Sequence, residues 1–428
     1  MRPSSRLLFL IAAAMLVVSS VSYGSGFSFF EQGAKATAMA GAFSATADDP
    51  SAIFYNVAGI AQQRKAAVMF GGTTVNFSNQ FTGDPNDPFT SGTTGHYARH
   101  TFVIPNAYAV LPVGQNLTFG VGVFTPFGLR TNWADPWVGR FSSRDANIKT
   151  INVEPAVAWQ TTDGRLAIGI GADYRRGRVM LNQNIPAYNP FTQRIADVGN
   201  AYLSSDWDTA WGWNAGILFK PSSAWRIGAS YRAPMTIDFG GTATFTQIKT
   251  NTPLDPLAAG LIPPSQNVAT AINFPGTAIA GVAYSGWNNW TIEGDVTHTN
   301  WSRFKQLDVH FLTTPAANIT RVENWKDTYS YRLGMNKDVT PDWSVRFGAL
   351  YDQNPQPTNV VSPLLPDADR LGATLGVGWR SKSGLFIDAT EFVLHFKNRS
   401  TNGQSLENFN GSYKTNANLI TVDFGYRF

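Results

Sequence analysis

The sequence predicts an all-β transmembrane barrel of 14 antiparallel strands enclosing an N-terminal hatch, or plug, of small residues. Three observations predict it. From Val68 to the terminal Phe428 apolar and polar residues alternate with period two, which places one kind of side chain on each face of a strand. Tight turns and long connections alternate along the same stretch, as they do in outer-membrane barrels. Charged residues make up only 14% of the chain while aromatics reach 13%, a profile suited to a wall that faces lipid. No run of about 18 apolar residues follows the N-terminus, so strands must carry the chain through a membrane.

Residues 1–24 read as a secretory signal, with Arg2 and Arg6 ahead of the apolar run 7–18 and small residues at Ser22 and Gly24. That run is too short to span a bilayer as a helix. Its removal, with Arg2 and Arg6, takes the formal charge from +4 to +2. No basic stripe accompanies that small charge, and no nucleic-acid partner is expected. Zero cysteines in an exported chain exclude a disulfide framework and thiolate metal sites. No cofactor and no metal are expected.

Residues 25–65 form the expected hatch. The stretch from Ser25 to Gln62 is rich in Gly and Ala, holds short helix-compatible runs and breaks at Asp48-Asp49-Pro50, in contrast to the strands that follow. A wide barrel leaves a hole that its own side chains cannot fill. A compact small-residue segment can fill it.

Residues 66–428 form the expected barrel. The clearest strand is the last, where Ile420, Val422, Phe424, Tyr426 and Phe428 alternate with Thr421, Asp423, Gly425 and Arg427. The same split sets Trp225, Ile227, Ala229 and Tyr231 against Arg226, Gly228, Ser230 and Arg232. Short turns are expected at 112–116, 161–164, 221–224, 286–289, 340–342 and 381–384. Long loops are expected near 79–98, 128–147, 182–205, 241–270, 300–326, 353–368 and 398–413. Both chain ends then lie on the periplasmic side. A soluble sandwich also alternates, but aromatics at strand ends, as at Trp225, Trp290, Trp343 and Trp379, mark the girdles of a membrane barrel.

Several segments resemble the FadL-like long-chain fatty-acid and hydrocarbon transporters of the Gram-negative outer membrane. They are Ser25-Gly26-Phe27, Ala47-Asp48-Asp49-Pro50, Asn56-Val57-Ala58-Gly59, the run from Gly212 to Leu218, Trp301-Ser302-Arg303-Phe304, Asn324-Trp325-Lys326-Asp327, Pro366-Asp367-Ala368-Asp369-Arg370 and Phe428. The likeness runs in order along nearly the whole chain beyond residue 24. It implies a fourteen-stranded barrel with a hatch, an apolar pocket, and sideways release of hydrophobic ligands through a gap at a kinked third strand. Here the third strand reads 117–127 and ends in Pro126, Phe127 and Gly128. Pro126 has no N–H to give a ladder, so these three residues are the expected lateral opening; the plainer reading ends the strand there. One departure stands in the hatch: Asn56-Val57-Ala58 replaces the family's Asn-Pro-Ala, so a hatch of different shape or looser build is expected.

The resemblance carries the third mature residue over to Phe27. With Phe29 and Phe30, it either gates the pocket or anchors the hatch. Leu254, Leu257, Leu261 and Ile262 recur at helical spacing in a loop expected outside, and serve either to capture ligand or as a simple lid. Arg175, Arg176 and Arg178 cluster near the expected end of the fifth strand, as partners for a fatty-acid carboxylate or for lipopolysaccharide phosphates and loop acids. Leu181 pairs with a position where fatty-acid-handling members carry a basic residue, which points toward uncharged hydrocarbons.

The expected function is passive import of hydrophobic compounds by a monomer in the outer-membrane lipid, with long-chain fatty acids the first substrate and hydrocarbons the alternative. Each buried methylene gains about 0.8 kcal/mol, and release into lipid exchanges one apolar medium for another, so no nucleotide is needed. An outer-membrane hydrolase and an open porin are the other readings. His96, His100, His298, His310 and His395 show no metalloprotease spacing and no nucleophile elbow, and a plug would block an open pore.

Overall fold

A computed structural model describes residues 26–98 and 101–428; the expected signal segment, 1–24, lies outside the described residues. Residues 26–65 precede a wall of 14 antiparallel strands. β1 is Ala67–Gly83 and β2 is Thr101–Val113. β3 comes in two pieces, Leu117–Phe124 and Gly128–Asn132, ahead of β4, Asp145–Gln160, and β5, Leu166–Asn189. The next five are also interrupted: β6 is Arg194–Ser205 with Asp208–Phe219, β7 is Trp225–Arg232 with Met235–Gln247, and β8 is Gln266–Phe274 with Thr277–Trp287. β9 is Trp290–Thr299 with Gln306–Phe311, and β10 is Ile319–Val322 with Thr328–Asp338. β11, Trp343–Asp352, β12, Arg370–Arg380, β13, Leu385–Phe396, and β14, Gly411–Arg427, complete the circuit. β14 pairs with β1 from Ala67↔Arg427 to Gly83↔Gly411, closing the sheet without an edge. Among the described residues no helix is long and apolar enough to cross a membrane.

The alternation sets the faces. Ile420, Phe424 and Tyr426 are exposed on the outside, while Thr421 and Asp423 are buried in the lumen. Phe119, Ile168, Ile170, Ile217, Leu333 and Leu375 face outward in the same way. An apolar surface of that extent belongs against lipid rather than water. The lumen receives the charges, including Glu154, Asp173, Arg232, Glu293, Asp295, Arg332, Arg346 and Asp388, all buried.

The ladders rise further than the alternation indicates. The stretch 182–205, expected as a long loop, carries the upper parts of β5 and β6, and 241–270 carries the ends of β7 and β8 with a short helix between them. Above the lipid belt neither face needs apolar residues, as Asn182-Gln183-Asn184 shows, so the period-two signal fades although the hydrogen bonds continue. The third strand, expected over 117–127, stops at Phe124 and resumes at Gly128.

Residues 26–65 lie inside the ring of strands, tied to wall residues on many sides. Helix α1, Ala34–Ala38, and helix α2, Ala52–Tyr55, are buried, and their flanks bond to the wall. Thr390 Oγ1 of β13 donates to Ala34 O at 2.6 Å, Thr374 Oγ1 of β12 to Ala38 O at 2.7 Å, Arg332 Nη1 of β10 to Ala40 O at 2.8 Å, and Tyr108 OH of β2 to Gln32 O at 2.8 Å. The densest anchor is on β9. Phe43 N and Ser44 N both donate to Asp295 Oδ2 at 3.0 Å, while Ala45 N and Thr46 N donate to the two oxygens of Glu293 at 2.7 and 2.9 Å. Two buried carboxylates thus satisfy consecutive amides that no helix or strand serves.

Removing both acids as Glu293→Ala with Asp295→Ala strands those amides, at about 1–3 kcal/mol for each unsatisfied buried donor. The expected outcome is a barrel that still migrates as a folded species on an unheated gel but is cleaved by protease within 26–65. Protection equal to wild type would show that the acids do not hold the segment.

Candidate functional site

The site is built where strands break. β3 stops at Phe124 because Pro126 supplies no N–H, and the broken piece pairs with the start of the described chain instead: Phe29 N donates to Pro126 O at 2.7 Å and Gly128 N to Phe27 O at 2.9 Å. Gln32 Nε2 donates to Thr125 O at 2.5 Å and holds the same bend. Pro126, Phe127 and Gly128 therefore form a break within a strand rather than its end. Because β3 bends inward, its ladder to β2 covers only Ala107↔Val123 to Val113↔Leu117. Above this, residues 101–106 of β2 pair with β1 but form no ladder with β3 among the described residues. The bond from Ala98 N to Asn132 O at 2.8 Å closes the gap at its upper end. The ladder between β2 and β3 is thus interrupted beside the bend, between Ala107 and Ala98.

Breaks at the same level elsewhere bring aromatic rings inward. Phe274 ends the first piece of β8 before Pro275-Gly276, Trp301 and Phe304 come from the interruption of β9, and Trp325 from that of β10. With Phe127 they surround Phe27, whose ring centroid lies 4.7 Å from Trp301, 5.4 Å from Phe304, 5.7 Å from Trp325, 5.9 Å from Phe274 and 6.1 Å from Phe127. Most of these contacts are tilted or edge-on, the arrangement aromatic pairs favour. Gly26 precedes Phe27 with φ +62°, and a Cβ there would run into Trp325 and Trp301. Only glycine lets the chain turn this tightly against the rings.

Two cavities flank this box. The upper one, about 40 Å³, lies toward the long connections and is lined by Phe27, Phe304 and Trp325, by Leu129, Val179, Leu181 and Ile272 of the wall, and by Leu364 and Leu365. The lower one, about 30 Å³, is lined by Phe29, Phe30, Phe54, Pro126 and Phe127 and by Arg232, Ile279 and Thr299 across the lumen. Phe27 lines only the upper cavity and Phe127 only the lower. In the lower cavity Arg232 is committed to Glu154 at 2.6 Å and to Asp173.

Phe27, Phe29 and Phe30 thus come together with Pro126, Phe127 and Gly128. Phe30 also lies 4.3 Å under the Arg332 guanidinium. The three arginines do not stay together, and they lie within β5 rather than at its end. Arg175 is buried in the lumen over the rings of Phe127 and Phe274, with Nε donating to Asn152 Oδ1 at 2.8 Å. Arg176 and Arg178 are exposed on the opposite face, Arg176 over Trp207. Leu254–Leu261 is helix α3, with Leu254 buried beside Val198 while Leu257 and Leu261 are 62% and 76% exposed. Ile262, half-buried, follows it.

The turn at Asn56-Val57-Ala58 is held by side-chain bonds. Asn56 accepts from Ala58 N at 3.2 Å and donates to Ser44 O at 2.7 Å and Ile217 O at 3.0 Å, capping a 3-10 turn over Val57–Gln62. Val57 and Ala58 are buried.

The sequence reading assigned no site role to Phe274, Trp301, Phe304, Trp325 or Glu323. A signal for the aromatics exists in the chain, since each lies next to an interruption of the alternation, as at Phe274-Pro275-Gly276 and Asn300-Trp301. Next to Phe27 in the chain, Gly26 N donates to the buried Asp367 at 2.8 Å. Burial pushes its carboxyl up to about 7, against the opposing pull of Arg370 and the Gly26 amide.

Residues 15–428 match the family described as "Outer membrane protein transport protein (OMPP1/FadL/TodX)". The chain is 24% identical over 447 residues to the long-chain fatty acid transport protein of Escherichia coli O6:H1, covering 98% of each. Among solved structures it is similar to a Pseudomonas aeruginosa FadL homologue, with TM-score 0.82 at 20% identity over 94% of this chain and 100% of that one. It is also similar to the P. putida toluene transporter TodX, with TM-score 0.72 at 15% identity over 94% and 99%.

Replacing Phe27 by Ala removes the ring between the two cavities, a truncation that costs about 3–5 kcal/mol at a fully packed site. Trp301 and Trp325 then lose a packing partner, and the expected outcome is a red shift of tryptophan emission relative to wild type. Unchanged emission would show that the remaining rings close over the space.

Proposed function

Because the chain belongs to the OMPP1/FadL/TodX family of outer membrane transport proteins, we propose that it imports hydrophobic compounds passively, by way of the upper cavity, the aromatic box, the lower cavity and the window beside the β3 break. The observation that carries this reading is the contact of Phe27 with Phe127: Phe27 lines the upper cavity, and Phe127, 6.1 Å away, belongs both to the lower cavity and to the β3 bend. Phe27 acts as the gate, and residues 26–65 act as a hatch that stays in place, since the amides at 43–46 are fixed on Glu293 and Asp295. Leu257 and Leu261 on α3 offer an apolar landing surface at the cell exterior. The unit works as a monomer, with Arg176 and Arg178 outward toward lipopolysaccharide phosphates.

Burial of a long chain at about 0.8 kcal/mol per methylene supplies the attraction, and exit into lipid through the window keeps the ligand in apolar surroundings throughout. The names of the curated relatives favour long-chain fatty acids. A specific observation favours a hydrocarbon-like ligand: Leu181, where a basic residue is expected for a carboxylate, lines the upper cavity.

The test closes the window. In Pro126→Val with Gly128→Val, β3 can bond straight through to β2, and uptake of labelled oleate and labelled toluene in cells lacking their own transporter is expected to fall to background while the barrel still assembles. Wild-type uptake of either compound by the assembled variant would falsify the lateral route.

A further inference from the structure

Resting on the uptake reading above, we propose that the upper cavity selects a neutral hydrophobic molecule whose polar end donates a hydrogen bond to Glu323, an alcohol or a phenol, and turns away carboxylate anions. Glu323 is the one ionisable residue among the described residues that line this cavity. It sits in the connection between the two pieces of β10 and is buried. Its Oε2 accepts from Trp325 Nε1 at 2.8 Å, and its Oε1 stands 4.0 Å from Arg321 Nε. The rest of the lining is apolar or amide and hydroxyl, with Leu181 across from it. A ligand threading an apolar chain toward Phe27 therefore meets a carboxylate rather than a cation at the polar end of the pocket.

The neighbouring charges leave that arrangement intact. Arg321 is held by Glu407 from the connection before β14, its Nη2 donates to Ser142 Oγ at 3.1 Å and to the cavity-lining Ser362 Oγ at 3.4 Å, and its Nε faces Glu323, so one cation serves two acids and the group keeps a net negative charge. Lys305 offers its carbonyl to Glu323 N at 2.8 Å and is exposed. Arg399 donates to Gln356 O at 2.5 Å, and Asp367 is engaged with Gly26 N. Burial pushes the Glu323 carboxyl up to about 7, with Arg321 pulling the other way. Above that pH the group is a carboxylate that accepts from a hydroxyl and repels an anion. Below it the group is neutral and can donate to a carboxylate, so binding of an acid strengthens as pH falls, while a neutral donor gains nothing from the added proton.

The test uses purified protein in lipid nanodiscs and dodecanol and dodecanoate brominated at the fourth carbon, whose bromine lies near Trp325 and quenches it when the polar end meets Glu323. Well above pH 7 the alcohol is expected to bind on the order of tenfold more tightly than the carboxylate, and the ratio is expected to shrink well below pH 7. Glu323→Gln, which keeps an acceptor for Trp325 but no charge, is expected to shrink the ratio at high pH as well. Equal affinities for the two ligands at high pH in the wild-type protein would overturn the inference and leave the uptake reading standing, as would a ratio that the variant does not move. Quenching by neither ligand would overturn the uptake reading and this inference with it. If the variant does not fold, the wild-type pH titration alone decides.

Discussion

A strand that loses a backbone donor must find partners elsewhere, and the organisation of this protein follows from one such loss. Pro126 interrupts β3, and the carbonyl and amide set free at Pro126 and Gly128 are taken up by residues 27 and 29 of the N-terminal segment. Three results come from that exchange. The β2–β3 ladder is interrupted, Phe127 turns into the lumen, and Phe27 is placed at the centre of the ring cluster. Had those polar groups been left unpaired in a lipid-bounded wall, each would have cost several kcal/mol. The same segment that fills the lumen is thus what makes the break in the strand tolerable.

The aromatic box extends the principle. β8, β9 and β10 break at the level of the β3 bend, and each break turns a large ring inward where a continuous strand would present its next residue in register. Interrupted ladders are the means by which a barrel, whose inner face alternates regularly, builds an apolar chamber in an otherwise charged lumen. The two cavities flank those interruptions.

The barrel was legible because lipid enforces a strict rule: Ile420, Phe424 and Tyr426 can face outward only if Thr421 and Asp423 face in, and period two records that along the whole wall. The Pro126 break was legible because proline's missing donor is a local fact. What the sequence hid was long-range placement. Arg175, Arg176 and Arg178 look like one basic cluster in a string of letters, yet the alternation that exposes the barrel also sends Arg175 to the lumen and the other two outside. Phe274, Trp301 and Trp325 lie far apart along the chain and meet only through the closure of the sheet. Val57 reads as the loss of a rigid turn, whereas Asn56 supplies the turn through its side chain. The loops at 182–205 and 241–270 were misjudged because, beyond the lipid, strands no longer need to alternate.

The carboxylates of β9 have a consequence for how the barrel is sized. Glu293 and Asp295 meet amides 43–46, while Asp423 of β14, Thr390 of β13 and Thr374 of β12 meet Ala34 and Ala38 of the same short segment. Those wall residues lie on different arcs of the circumference, at distances fixed by the number of strands between them. A ring with one hairpin more or fewer could reach one set of contacts but not the others. The inner segment therefore works as a gauge block, rewarding a single diameter when β14 finally meets β1.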